Sequence, residues 1–166
     1  METVELTKGE VLELYLGLNS LGELHGAKFA YAVMRNINSL KGEAEALLEA
    51  RNPKQEYVIF EREQISLAKL HAVMKDGVPQ KYTENGKEFY AIADMEKFNK
   101  EFEALREKHL PAINNYQAQL RELESILKEK VTVGIYKVSR EFIPENISVK
   151  QFASIEAIIS DDVDKG

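Results

Sequence analysis

The sequence predicts an α+β fold: mainly long antiparallel helices with a small antiparallel sheet built from a β-hairpin and a C-terminal strand. Three observations carry that prediction. Apolar residues recur every three or four positions along 7–75 and 94–129, the period of a helix with one buried face. Asn85-Gly86 sits between two short segments rich in aromatic residues, and this pair favours the positive φ angles of a tight hairpin turn. The segment from Val131 to Val138 is short and β-branched, which suits a strand.

The first helix opens on Thr7-Lys8-Gly9-Glu10, a capping box, with Leu6 and Val11 at the hydrophobic staple positions. Val11, Leu14, Tyr15, Leu18 and Leu21 form its core stripe. Gly22 to Gly26 make a short turn. A second helix then presents Phe29, Val33, Ile37, Leu40, Ala44 and Leu47 on one side, giving a helical hairpin over 7–50. Asn52 and Pro53 suit a helix start, so a third helix is expected over 54–75, with Tyr57, Phe60, Leu67, Leu70 and Met74 inward. Asp76-Gly77-Val78-Pro79 reads as its stop.

The hairpin is expected over 80–92, in a register that sets Glu84 opposite Lys87 and Tyr82 opposite Phe89. Asp94 caps a long helix over 94–129, kinked or briefly broken near Pro111, where the apolar stripe takes an extra step from His109 to Ile113. A strand over 131–138 joins the hairpin in one sheet, and residues 3–6 are a candidate edge strand. Ser148-Val149-Lys150-Gln151 is a second capping box, opening a terminal helix over 148–159. No internal repeat and no flexible linker stand out, so 1–166 reads as one domain.

Composition narrows the function. With 28 acidic against 22 basic side chains the net charge is -6, which argues against a nucleic-acid partner. The absence of cysteine excludes disulfides and thiolate zinc sites. No apolar run approaches the ~20 residues of a membrane span. The N-terminus has no basic and apolar signal segment, so a cytoplasmic protein is expected.

No complete catalytic constellation is present. His25, His71 and His109 are not spaced as metal ligands on one helix; His71 and His109 read as structural histidines and His25 as a solvated turn residue. Gly22 and Gly26 lack the Gly-Lys-Ser/Thr ending of a phosphate loop. Acidic pairs such as Glu61/Glu63 and Glu122/Glu124 read as solvated helix faces. No catalytic, metal or cofactor residue is therefore assigned, and a non-enzyme is expected. The amount of amphipathic helix points instead to a protein partner or self-association. The candidate contact surface is Tyr82, Phe89 and Tyr90 on the hairpin with Asn114 and Tyr116 near the kink. The alternative is a small-molecule ligand, a nucleotide or similar signal, held by Lys81, Lys87 and Arg106 beside the hairpin aromatics.

One block resembles a known family. Gly77-Val78-Pro79, then Asn85-Gly86-Lys87-x-Phe89, then Ile92-x-Asp94-x-Glu96-x-Phe98-Asn99-Lys100-Glu101-x-x-x-Leu105 is similar to a segment of small uncharacterised helical proteins of tailed phages of Gram-positive bacteria. Leu18-Asn19-Ser20-Leu21 and Gly26-Ala27-Lys28 resemble their opening helical hairpin. The likeness spans about residues 8–130 and is close in detail over 77–105; Pro53, Pro111 and the C-terminal strand and helix depart from it. It implies no activity and no catalytic residues. What it implies is a phage origin, and with it an assembly factor, a host-target binder, or a protein that sequesters a metabolite signal in the host cytoplasm.

Overall fold

A computed structural model describes residues 1–24 and 26–160; His25 lies outside the described residues. In chain order the elements are β1 (Glu2–Thr7), α1 (Lys8–Asn19), α2 (Ala27–Arg51), α3 (Gln55–Leu70), β2 (Met74–Lys75), β3 (Val78–Pro79), β4 (Lys81–Glu84), β5 (Lys87–Tyr90), α4 (Met95–Lys108), α5 (Leu110–Leu127), β6 (Lys130–Ile135), β7 (Val138–Ser139), α6 (Val149–Ser154) and β8 (Ile159–Ser160), with single 3-10 turns at 140–142 and 156–158. The fold is α+β, mainly helical, with sheets of two strands each. Contacts gather into two compact units, Met1–Arg51 with Arg121–Gly166, and Asn52–Leu120.

The first unit holds a single apolar core. Val11, Leu14 and Leu18 of α1 meet Phe29, Ala32 and Leu40 of α2, with Val133 and Ile135 of β6 and the C-terminal Ile155 and Ile158 completing it. The capping box at Thr7 forms as read: Glu10 N donates to the Thr7 hydroxyl at 3.2 Å and Thr7 N donates to the Glu10 carboxylate at 2.7 Å. The Thr7 N–H, and then the Thr7 hydroxyl donating to the same carboxylate at 2.9 Å, hold the Glu10 carboxyl below its ordinary pKa. The second box, at Ser148 and Gln151, also forms. Gly17 is required by packing, because a Cβ there would come within 2.7 Å of the Ser154 carbonyl oxygen.

The expected three-stranded sheet does not form. The C-terminal strand pairs with the edge segment at the N-terminus, Glu2↔Ile135 through Thr7↔Lys130, and not with the hairpin. It also ends at Ile135, short of Val138, because the buried side chain of Asn36 takes over the next backbone groups. Tyr136 N donates to Asn36 Oδ1 at 2.9 Å, while Asn36 Nδ2 donates to the carbonyls of Tyr136 and Ala32, both at 2.8 Å. One side chain thus does for Tyr136 what a neighbouring strand would do. Past this point Val138–Ser139 pairs in parallel with Ile159–Ser160, so the terminal helix expected over 148–159 shortens to Val149–Ser154.

In the second unit the hairpin closes as read. Asn85 and Gly86 have φ of 51° and 75°, Glu84 opposes Lys87 and Tyr82 opposes Phe89. The segment before it differs. Asp76 and Gly77 have φ of 51° and 76° and close a second hairpin, β2–β3, in place of the expected helix stop. The third helix ends at Leu70, not 75, because His71 to Val73 are drawn onto the segment after the hairpin. Ala93 N donates to His71 O at 2.9 Å and Val73 N to Ala91 O at 2.6 Å. Leu70 and Met74, expected to face inward, are left exposed as a result. Asn52 does not cap: Lys54 stands at the N-cap of α3 without a side-chain bond, and the Asn52 carbonyl accepts from Gln119 Nε2 at 2.8 Å. The long helix breaks at His109 into α4 and α5, and Pro111 occupies the first turn of α5, where its missing N–H removes no helical bond.

Asn36→Ala is expected to destabilise the first unit by about 2–3 kcal/mol, since it leaves the Tyr136 backbone groups buried without partners. Denaturant unfolding followed by far-UV circular dichroism checks it; an unchanged midpoint contradicts the role given to Asn36.

Candidate functional site

All the predicted contact residues fall in the second unit, on separate features. Tyr82 and Phe89 are 51% and 42% exposed, so neither serves a core; their rings stack at 5.7 Å and 29° across the hairpin. Tyr90 is half-buried and lines a cleft of about 500 Å³ between the hairpin and Glu61, Gln64, Ile65 and Ala68 of α3. Lys81 enters the same cleft, its Nζ 5.2 Å from the Tyr90 ring centroid and 3.4 Å from the Glu88 carboxylate. Lys87 lies at the turn, opposite Glu84. Arg106 is on α4, paired with Glu103 at 3.6 Å. Neither of these two lines the hairpin cleft, so the structure does not bring the three cations together.

Asn114 is exposed on α5, while Tyr116 packs on Tyr57 with ring centroids 4.1 Å apart. The two tyrosines wall a second cleft of about 320 Å³, along with Lys54, Lys108, His109 and Asn115. Burial is the main cause that raises the Tyr57 phenol above its ordinary pKa, with the Glu61 charge and Tyr116 adding to it.

The feature that sequence reading missed lies between α3 and α4. His71, at the C-cap of α3, donates from Nε2 to the Glu101 carboxylate of α4 at 2.8 Å; His109, at the C-cap of α4, donates from Nε2 to the Glu63 carboxylate of α3, also at 2.8 Å. The His71 ring lies edge-on to Phe98 at 5.8 Å and the His109 ring tilts over Phe60 at 5.7 Å. The two helices therefore run antiparallel and exchange the same set of contacts. The matching residues share one spacing, Phe60-x-x-Glu63-x-x-x-Leu67-x-x-x-His71 and Phe98-x-x-Glu101-x-x-x-Leu105-x-x-x-His109. The same four residue types thus recur at identical offsets on two antiparallel helices, which exchange equivalent His–Glu bonds. The signal that could have found it is the recurrence of Phe, Glu, Leu and His at identical offsets.

Glu63, though 38% exposed, is tied to its neighbours. The His109 bond, and then Lys108 Nζ at 3.1 Å, hold its carboxyl below the ordinary range. His71 and His109 serve the helix–helix contact, and among the described residues no group of three or more His, Asp or Glu is placed to hold a metal ion. No helix among the described residues is long and apolar enough to cross a membrane. No protein-family model, curated protein or solved structure matches the chain, so the phage resemblance rests on the residues quoted for it alone.

A carboxyl whose pKa is lowered by folding stabilises the folded state above its unfolded pKa and loses that contribution as pH falls toward the folded value. Glu63→Gln is therefore expected to be less stable than the native chain at pH values above about 4.5, the ordinary value. Below that the margin should close. Thermal unfolding over a pH series tests this; a margin that persists undiminished well below that value contradicts the role of the Glu63 carboxylate.

Proposed function

We propose that this chain is a non-enzymatic interaction protein that works by docking, with Asn52–Leu120 as the docking module. The carrying observation is how that unit distributes its apolar side chains. Its buried hydrophobic residues are Phe60, Ala72 and Ile113, whereas Ile65, Leu70, Met74, Val78, Tyr82 and Phe89 are exposed. Fully burying side chains of this size contributes about 1.5–3 kcal/mol each. A partner that covers them supplies what the unit's own core does not. The stacked Tyr82–Phe89 pair is the natural anchor, because aromatic residues at the centre of a contact dominate its energy. The partner is a protein, as for an assembly factor or host-target binder of phage type.

A second reading, a small-molecule binder, draws on the cleft walled by Tyr57 and Tyr116, whose volume of about 320 Å³ lies within the range of ligand sites. A stabilising shift with one nucleotide in a thermal screen, lost in Tyr116→Ala, would favour that reading over docking.

The double variant Tyr82→Ser/Phe89→Ser is expected to fold, since both rings are exposed, and to lose about tenfold or more in affinity for the partner. Paired capture and sedimentation experiments on native and variant chains check it, with Tyr31→Ser, an exposed change in the first unit, as the control. A native chain that stays monomeric and captures nothing that the double variant fails to capture overturns the docking reading.

A further inference from the structure

The repeat between α3 and α4 frames a groove of about 530 Å³, lined by Glu63, Ser66, Leu67 and Leu70 of α3 and by Glu101, Ala104, Leu105 and Lys108 of α4. Each set falls at the spacing i, i+3, i+4, i+7, one face of each helix, and each residue of one set is the repeat mate of a residue in the other. Leu67 and Leu105 make an apolar floor, and the small Ser66 and Ala104 keep its middle low enough for a third helix to approach.

Two of the four matched pairs differ, Ser66/Ala104 by a hydroxyl and Leu70/Lys108 in charge, and the second breaks the symmetry of the ends. At one end Lys108 sits 3.1 Å from the Glu63 carboxylate and shares it with His109. At the other end the mate of Lys108 is Leu70. Among the described residues no lysine or arginine lies within ion-pair distance of Glu101, and its partner is His71 alone. Leu70 itself is 78% exposed, so it contributes little to the unit's own core. That end therefore presents an anion lacking its cation beside a leucine lacking cover, on a chain with net charge -6.

We infer that this groove is the seat of a basic amphipathic helix from the partner protein, which lays its apolar side on Leu67, Leu70 and Leu105 and brings a lysine or arginine to Glu101. The charge complementarity names the occupant. The partner cation stands opposite Glu101 as Lys108 stands opposite Glu63, and its apolar face covers Leu70. The inference rests on the docking reading above and specifies the partner's chemistry.

The test uses the full chain and a fluorescent peptide of about 18 residues, long enough to fold on contact, with leucines on one face and lysines on the other. A second peptide carries glutamates in place of the lysines. The lysine peptide should bind saturably in fluorescence anisotropy, and the glutamate peptide at least about tenfold more weakly. Leu70→Ser removes the apolar seat with no change of charge, and Leu70→Lys places on α3 the residue that α4 already carries. Leu70 is exposed, so both variants should keep the native circular dichroism, and each should weaken the lysine peptide by about tenfold or more.

Three results overturn the inference: equal binding of both peptides, affinity unchanged in Leu70→Ser, or self-association of the native chain that Leu70→Lys abolishes. The first two reduce the effect to apolar stickiness or bulk charge, and the third makes a second copy the occupant. If any of them occurs while Tyr82→Ser/Phe89→Ser still abolishes partner capture, the docking reading stands and only the basic helix is refuted. If the hairpin variant also leaves capture unchanged, both fall.

Discussion

Two imidazole–carboxylate bonds set the geometry of the Asn52–Leu120 unit. The His71–Glu101 and His109–Glu63 contacts sit at opposite ends of the α3–α4 pair, so together they fix both the lateral spacing of the helices and their axial register. A single bond would leave the pair free to pivot. Because both imidazoles stand at helix C-caps, the carboxylates also hold the points where the chain leaves α3 for the hairpins and passes from α4 into α5. The groove between the helices and the placement of the Tyr82–Phe89 ribbon both inherit their shape from these two contacts. Beside a core of three buried apolar residues, Phe60, Ala72 and Ile113, these two bonds bear directly on how the helices are held.

The Met1–Arg51 and Arg121–Gly166 unit is built on the opposite plan. Its core is continuous, and the one buried polar side chain among the described residues is fully committed: Asn36 gives and accepts at Tyr136 and gives again at Ala32. Such a residue adds direction where apolar contacts have none, because an amide pair accepts one register of backbone and rejects its neighbours. Asn36 therefore determines where β6 ends and, through that, where Val138 enters the core. Ion pairs at Lys130–Glu5 and Lys8–Glu129 flank the β1–β6 ladder, and their exposure limits them to a minor role.

What was legible in the sequence was what neighbours within a few residues decide. Both capping boxes, the Asp94 cap and the Asn85-Gly86 turn with its cross-strand partners follow from local chemistry and formed as read. Asp76-Gly77 was misread because the same positive-φ pair serves a helix stop and a hairpin turn; only pairing between Met74 and Pro79 separates the two. The partner of β6 lies over a hundred residues away, and no local pattern names it. Asn36 escaped because a polar residue within an apolar stripe reads as the edge of that stripe. At the candidate site the Tyr82–Phe89 pair and the Lys81–Tyr90 proximity were legible as cross-strand neighbours. The separation of Lys87 and Arg106 was not, since it depends on which elements meet. The repeat was hidden because its matching residues are diluted by unlike ones at every intervening turn.

The mismatch between Leu70 and Lys108 has a consequence for recognition. A groove with identical ends would accept a helix in either direction with equal affinity, because reversing the helix would present it with the same contacts. With Lys108 at one end and Leu70 at the other, the ends differ in charge and in apolar cover. A cation on the proposed incoming helix would be repelled by Lys108 and drawn to Glu101, and an apolar side chain would gain more against Leu70 than against an ammonium group. Both preferences select the same direction. The matched leucines thus supply a near-symmetric floor, and the Leu70/Lys108 difference would give the proposed seat its polarity.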